Sequence, residues 1–446
     1  IYPRSTHSEF RNGIAVGVLE LKRASVSVSE GIRQNISNQL HLFNKPFFTT
    51  IQLVMAGNDS NGLYYGTTKT EEKYFLKWKE DNDVYNPNEI ILDKHIVQFC
   101  AKERLLEIIH DFVIFDFGTK KLCRPNQYFG IKEAQKCIAK KEGGIIWHTQ
   151  GSGKSLTMVW LAKWILENQS KARLLIITDR TELDEQIEGV FSGVGETIKR
   201  TKSGADLISV LDNTFPRLVC SLVHKFGGKE DNEADEFIDE LKLPKDFQPK
   251  GDFVVFIDEC HRTQSGDLHD AMKRILPENT IFIGFTGTPL LKKDKKRSLE
   301  VFGRYIHTYK FDEAVKDGVV LDLLYESRDV DQHVLDQKGI DDWFEIVTRG
   351  MNDLPKAELK QKWGTMQKVL STKSRLEKIV FDIKKDFITK PRLRDGRGNA
   401  LLVARSIYEA CRYYEIFQNF GLKKCAIITS FEPNENSIKL EETGSG

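Results

Sequence analysis

Along the chain the alternation of apolar and polar positions changes rhythm twice. Residues 14–22 form an aliphatic, β-branched run directly after an Asn12-Gly13 turn signal, which predicts the second arm of a hairpin. Residues 27–42 switch to a polar-faced helical spacing with Ser29 as the cap, and residues 48–55 and 62–67 return to strands. Residues 105–115 are expected to pack back onto this first unit, which covers residues 1–119.

From Arg124 onward, short apolar runs at 144–148, 173–178, 217–222, 253–258 and 280–286 are separated by helix-length, charge-rich stretches. Runs without polar alternation imply strands buried on both faces, and helices between them imply a parallel sheet. The pattern predicts a doubly wound α/β domain over residues 120–325, with its ligand at the carboxyl ends of the strands. Residues 341–387 then read as charged helices, including 357–369 and 371–385. After breaks at Pro391 and Gly396-Arg397-Gly398, residues 400–404 and 425–429 restart the buried-strand pattern around a helix at 408–418. Residues 326–446 are thus expected to hold a helical insertion and an incomplete second α/β domain.

Composition adds bounds. The 446 residues, 40% hydrophobic and 29% charged, suit about three globular domains of roughly 150 residues each. Sixty-six Lys and Arg against sixty-five Asp and Glu leave a net charge of +1, so contact with a polyanion must come from local patches. The basic runs at 292–297 and 390–397 read as solvated loops first and as phosphate-backbone contacts second. Seven scattered cysteines without a C-x-x-C pair argue against a disulfide framework or a zinc ribbon, and fit a reducing cytoplasm. No apolar run approaches the ~18 residues of a membrane span and no leader pattern opens the chain, so the sequence reads as soluble, cytoplasmic and without a membrane partner. It begins at Ile1 rather than Met, which suggests a fragment.

The strongest chemical signal is Thr149-Gln150-Gly151-Ser152-Gly153-Lys154-Ser155, between a predicted strand and an amphipathic helix. Glycines let the backbone approach phosphates, and the amides of a helix start point at them with the positive end of the dipole. Gly151, Ser152 and Gly153 would form the ATP cradle, Lys154 would reach the β- and γ-phosphates, and the Ser155 hydroxyl would hold Mg²⁺. His148 stands where the strict G-x-x-x-x-G-K-[ST] pattern has its first glycine. A second signal is the buried run 253–257, which ends in Asp258 and Glu259. Asp258 would lie beside the metal and Glu259 would orient or deprotonate the attacking water. Either element alone has a structural reading, as a chance Gly-Ser loop or a helix-capping acid; together they point to a nucleotide site.

Gly-Ser-Gly-Lys-Ser, the Asp258-Glu259-Cys260-His261 box and Thr286-Gly287-Thr288-Pro289, in this order, resemble the first three main motifs of superfamily 2 helicases and translocases. The resemblance implies a pair of RecA-like parallel-sheet motor domains with ATP between them, and Thr286, Gly287 and Thr288 coupling hydrolysis to movement. It also implies an adenine-reading segment at Arg124-Pro125-Asn126-Gln127, with Arg124 and Gln127 at the nucleotide, and a nucleic-acid backbone contact from Arg180.

Upstream, Glu20 and Lys22 sit two apart on a predicted strand, so both side chains leave one face. A metal-binding carboxylate beside an ammonium suits phosphodiester hydrolysis, although E-x-K is also a common solvated strand face. Its apolar strand, its place ahead of a motor and its flanks resemble the PD-(D/E)xK nuclease domain of type I restriction enzyme motor subunits. That resemblance implies a metal at Glu20, catalysis by Glu20 and Lys22, an auxiliary Gln34 in the next helix, and Asn38 where the family often has tyrosine. It further implies an Asp on the preceding strand, where residues 1–10 offer only Glu9; either Glu9 substitutes or residues are absent.

Taken together, the resemblance implies an ATP- and Mg²⁺-dependent translocase of double-stranded DNA. It carries its own endonuclease and works with methyltransferase and specificity subunits. The rival readings are a superfamily 2 repair or RNA helicase with an incidental E-x-K, and a non-catalytic nucleotide-binding scaffold.

Overall fold

The structure is a computed structural model and describes residues 6–11, 13–81, 89–178, 191, 198–222, 247–260, 272–273, 275–288, 302–328, 348–350 and 372–429. It divides into two compact units, Ile1–Asp322 and Leu323–Gly446. Among the described residues no helix is long and apolar enough to cross a membrane.

The first unit holds a five-stranded sheet in sequence order: β1 (Thr6–Arg11), β2 (Ile14–Leu21), β3 (Leu53–Asn58), β4 (Gly62–Gly66) and β5 (Leu76–Lys77). Gly13, at φ 81°, makes the hairpin turn into β2, as the Asn-Gly signal predicts. β2 and β3 are parallel, so the chain must cross over between them, and helix α1 (Val28–Leu40) lies in the crossover. Its cap is Ser27, whose Oγ accepts from Ser29 N at 3.3 Å, rather than Ser29 itself.

β3 is buried throughout because both faces are covered. Val54 and Ala56 pack with Val28 and Ile32 of α1. Leu53 and Met55 face the other way, toward Leu92 and Phe99 of α2 (Ile91–Phe99) and Ile108 of α3 (Lys102–Asp111). This is the period-2 alternation of a strand, and each such fully buried aliphatic side chain contributes roughly 1.5–3 kcal/mol. A two-stranded hairpin, β6 (Val113–Asp116) and β7 (Thr119–Leu122), leads to the second sheet.

That second sheet has seven strands, all parallel, in the order β10-β11-β9-β12-β13-β8-β14. β8 (Gly144–His148), β9 (Ala172–Thr178), β11 (Leu218–Leu222), β12 (Asp252–Ile257) and β13 (Ile281–Thr286) are the five expected runs, and β10 (Ile198–Arg200) and β14 (Tyr305–Tyr309) add an edge at each side. Alternate residues of the central strands again serve two faces. Ile146, Ile176, Phe256 and Phe285 enter one core with Met158 and Leu161 of α5 (Lys154–Asn168); Ile145, Ile177, Val255 and Ile257 enter the other with Leu207 and Leu211 of α6 (Gly204–Leu211). Helix α4 (Pro125–Ala139) precedes β8, and a short helix α7 (Phe311–Lys316) follows β14.

In the second unit, α8 (Thr372–Thr389) and α10 (Ile407–Asn419) form a small core of Leu376, Val380, Tyr413 and Ile416, with the short α9 (Pro391–Arg394) after α8. The helices expected at 371–385 and 408–418 are α8 and α10. The strands expected at 400–404 and 425–429 are not in any sheet among the described residues, and Leu401, Val403 and Ile428 are exposed. An aliphatic run favours a strand, but only neighbouring strands complete its hydrogen bonds. The helix expected at 357–369 and the basic run at 292–297 lie outside the described residues.

Candidate functional site

β8 delivers the chain to a tight loop at the carboxyl edge of the seven-stranded sheet. Gly151 and Gly153 have φ of 83° and 92°, the left-handed region in which a side chain is strained. A Cβ at Gly153 would also lie 2.6 Å from Gln127 Nε2, so this position needs glycine twice over. Ser152 is buried, and its Oγ donates to Thr149 O at 2.5 Å. α5 starts at Lys154 with no side-chain cap, which leaves its first amides facing the loop, the arrangement by which a helix start holds an anion. Ser155 is the second residue of that helix.

Strand order brings the remaining groups to this loop. β13 lies between β8 and β12, with Thr286 beside Trp147 and Gly284 beside Ile257, so the three carboxyl ends are adjacent. A Cβ at Gly287 would lie 2.5 Å from Lys154 Nζ and 3.2 Å from Gln150 N. The ammonium therefore rests on the bare backbone at the tip of β13. There Thr286 Oγ1 accepts from Thr288 N at 3.3 Å and donates to Thr288 O at 3.2 Å, which closes the Thr286-Gly287-Thr288 turn.

Asp258 is buried just past β12, and its N donates to Ile177 O at 2.9 Å. Glu259 follows at φ 47°, strained for a residue with a side chain by roughly 1–2 kcal/mol. The turn is held from the next residue, since Cys260 N donates to Phe285 O at 3.0 Å. Burial pushes the Cys260 thiol up, the charges of Asp258 and Glu259 push it further, and Lys154 opposes them. Both carboxylates and the ammonium thus act on one buried thiol.

Arg124 caps α4 through its backbone, and Gln127 joins that helix to the glycine loop: its Oε1 accepts from Arg124 N at 2.8 Å and its Nε2 donates to Gly153 O at 2.8 Å. Gln127, assigned to a base by resemblance, has both ends of its amide on backbone atoms. Arg124 Nη1 is buried with no partner among the described residues, and burial lowers the guanidinium pKa. Arg180 and His261 lie outside the described residues. Sequence reasoning treated His148 only as a missing glycine and gave no role to His307; the two rings meet behind the loop, Nε2 to Nδ1, at 2.9 Å.

In the first sheet, Glu20 is buried and Lys22 Nζ donates to Glu20 Oε1 at 3.0 Å and to Gln34 Oε1 at 2.5 Å. The strand period brings the first pair together, and α1 brings Gln34. Close approach of that helix depends on Gly31, where a Cβ would lie 3.3 Å from both Lys22 Cγ and Ala56 Cβ. The hairpin register pairs Thr6 with Glu20 and Glu9 with Gly17. Position 9 is three residues from position 6 along the strand, so the register seats Thr6 beside Glu20 and not Glu9.

Two family models match the chain: the type I restriction enzyme R protein N terminus over residues 8–73, and the SWI2/SNF2 ATPase over residues 126–357, more than half the chain. The HindI type I restriction enzyme endonuclease subunit of Haemophilus influenzae is 26% identical over 438 residues, 89% of this chain and 39% of that protein. The SsaAORF53P type I restriction enzyme endonuclease subunit of Staphylococcus saprophyticus is 25% identical over 455 residues, 97% of this chain and 45% of that protein. A Methanocaldococcus jannaschii relative that carries the corresponding name, MjaIXP, provisionally is 29% identical over 455 residues, 94% of this chain and 42% of its own length. This chain spans less than half the length of these relatives. The chain belongs to the SWI2/SNF2 ATPase family, and ahead of that region it matches the N-terminal region of type I restriction enzyme R proteins.

Proposed function

We propose that the chain hydrolyses ATP to translocate double-stranded DNA and cleaves DNA with its N-terminal sheet, in a cytoplasmic complex with methyltransferase and specificity subunits. The observation that carries this reading is Lys154 Nζ against Gly287 at the tip of β13, the strand next to the one that leads to Asp258 and Glu259. Residues 1–119 act as the nuclease domain, 120–325 as the first motor domain, and 326–446 as the helical insertion and the start of the second.

In this reading the loop amides and Lys154 bind the phosphates, and Lys154 stabilises charge that develops on the γ-phosphoryl group. Asp258 and Ser155 offer the hard oxygen ligands that Mg²⁺ favours. Bound there, Mg²⁺ would neutralise phosphate charge. Glu259 orients the attacking water and accepts its proton. Arg124 supplies Nη1, which has no partner among the described residues, to the nucleotide, and Gln127 holds the loop against α4. Thr286, Gly287 and Thr288 sense the γ-phosphate through Lys154, and Arg180 contacts the DNA backbone. In the first sheet, Glu20 would hold a divalent metal, Lys22 would stabilise the charge that develops on the phosphodiester, and Gln34 keeps Lys22 in place.

The test is which polymer stimulates ATP hydrolysis by the assembled complex. Duplex DNA is expected to stimulate it and single-stranded RNA to leave it at the basal rate. Equal stimulation by RNA would assign the motor to RNA metabolism, and no hydrolysis with any polymer would make the nucleotide site a scaffold.

A further inference from the structure

Behind the phosphate loop, four polar side chains from four parts of the first unit form one line. Asn126 Nδ2 lies 3.4 Å from His148 Nδ1, His148 Nε2 lies 2.9 Å from His307 Nδ1, and His307 Nε2 lies 3.1 and 3.2 Å from the two oxygens of Asp81. Asn126, His148 and His307 are buried, whereas the Asp81 side chain is 41% exposed. An ionised carboxylate only accepts, so His307 Nε2–H donates to Asp81. With both rings neutral, His307 Nδ1 must then accept from His148 Nε2–H, and His148 Nδ1 accepts from Asn126. In that protonation state the acid at one end orients every hydrogen bond in the line. The hydrogen bond from His307 holds the Asp81 carboxyl below its usual range, and burial holds His148 below the usual imidazole range.

Each member of the line touches something that shapes the nucleotide site. His148 is the last residue of β8, directly before the loop. His307 lies on β14, whose Tyr309 O accepts from Thr149 N at 2.9 Å, the first hydrogen bond of the loop. Asn126 is in the first turn of α4, next to Gln127, which bonds to Gly153 O. Asp81 belongs to none of these elements; it follows β5 of the first sheet. The segment that carries it is fixed at both sheets: Trp78 N donates to Leu63 O at 2.9 Å, and Lys79 pairs with Asp317 at 2.5 Å, which also accepts from Tyr309 OH at 2.7 Å. The α4 backbone makes room for the line at Gly130, where a Cβ would be 3.0 Å from His148 Cε1.

We infer that Asp81 is a positioning residue for ATP: through His307 and His148 it sets β14 and the last residue of β8, and so ties the segment trailing the N-terminal sheet to the shape of the phosphate loop. The inference rests on the proposed ATP site. Loss of Asp81 leaves His307 free to change tautomer, the line loses its direction, and Thr149 is no longer held in one place. A nucleotide then meets a loop that must be ordered on binding.

A fluorescent ATP analogue titrated with Mg²⁺ into the full chain tests this. Asp81→Ala is expected to weaken binding about fivefold, the scale of one hydrogen bond, with the fold retained and the melting temperature lowered by no more than a few degrees. Asp81→Asn, which keeps an acceptor for His307, is expected to stay within about twofold of the parent. His307→Gln is expected to weaken binding as Asp81→Ala does, and the double variant to be no weaker than either single one, since both break the same line. Parent-like affinity in Asp81→Ala overturns the inference, as does a double variant whose loss is the product of the two single losses. No binding by the parent chain would remove the ATP site itself, a failure distinct from a parent that binds and an Asp81 variant that binds equally well.

Discussion

The two sheets of the first unit hold charge in opposite ways. In the five-stranded sheet Glu20 lies in β2 and Lys22 directly follows its last residue, two apart, and the strand period brings them together. In the seven-stranded sheet Asp258 and Glu259 follow β12 and Lys154 opens the helix after the β8 loop, and the strand order β12-β13-β8 brings them to one edge. The first arrangement needs one glycine on the covering helix, Gly31, to admit a helix beside the pair. The second needs glycines at left-handed φ, Gly151 and Gly153, and a strained Glu259. An in-strand pair is therefore set locally and a strand-tip site globally. Damage to one is expected to leave the other standing.

The largest expected effects are a reciprocal pair. Lys154→Ala removes the ammonium proposed to bind the phosphates and is expected to lower ATP hydrolysis in the assembled complex by about 10²–10³-fold, the range found for loss of one charge-stabilising donor. Its Glu20–Lys22–Gln34 cluster is unchanged. Glu20→Ala is expected to abolish cleavage of duplex DNA and leave the ATPase rate at the parent value. The pair is measured on one preparation, phosphate release beside product strands on a gel. An ATPase loss in Glu20→Ala would show that the two sheets are not independent.

A smaller and sharper contrast comes from the glycines. Gly153→Ala must place a side chain at φ 92° and displace Gln127, so it is expected to destabilise the chain by about 1–3 kcal/mol and to weaken ATP binding. Gly31→Ala gains about 1 kcal/mol of helix propensity and loses a similar amount to contacts at 3.3 Å with Lys22 and Ala56. Its melting point is expected to stay near the parent, while the shift of Lys22 slows cleavage. Thermal melting of both variants checks the pair, and equal destabilisation would contradict the difference drawn between the sheets.

Residues legible in the sequence are those whose chemistry and burial coincide. The five motor strands are unbroken aliphatic runs such as Phe253-Val254-Val255-Phe256-Ile257, which only a doubly covered sheet accommodates. The edge strands were not visible: β10 is three residues long, and β14 reads Tyr-Ile-His-Thr-Tyr, half polar because it carries His307 and borders solvent on one side. Positions 400–404 show the converse, a strong strand composition that pairs with nothing among the described residues. The pairing of Glu9 with Gly17 was not legible, because register, with its bulge between residues 9 and 10, has no signature in composition. His148 was legible only as a departure from glycine, since a partner 159 residues away cannot be read from spacing.

That histidine gives the last and smallest test, in which acid distinguishes the two sheets. His148 has a folded pKa below its unfolded value, through burial first and then the neighbouring His307 and Lys154. Above pH ~6.5, the usual imidazole value, it is neutral in both states and its contribution to stability is complete. Below that, the unfolded chain takes up a proton that the folded chain refuses, so stability falls by about 1.4 kcal/mol per pH unit until the folded pKa is reached. The cluster of Glu20, Lys22 and Gln34 contains no imidazole. Amide hydrogen exchange between pH 7 and 5.5, corrected for intrinsic rates, is therefore expected to show protection lost in β8 and β14 ahead of β2 and β3. His148→Gln removes the titrating ring and is expected to flatten the fall by about one proton; equal slopes in parent and variant would mean that His148 is not the group that acid finds first.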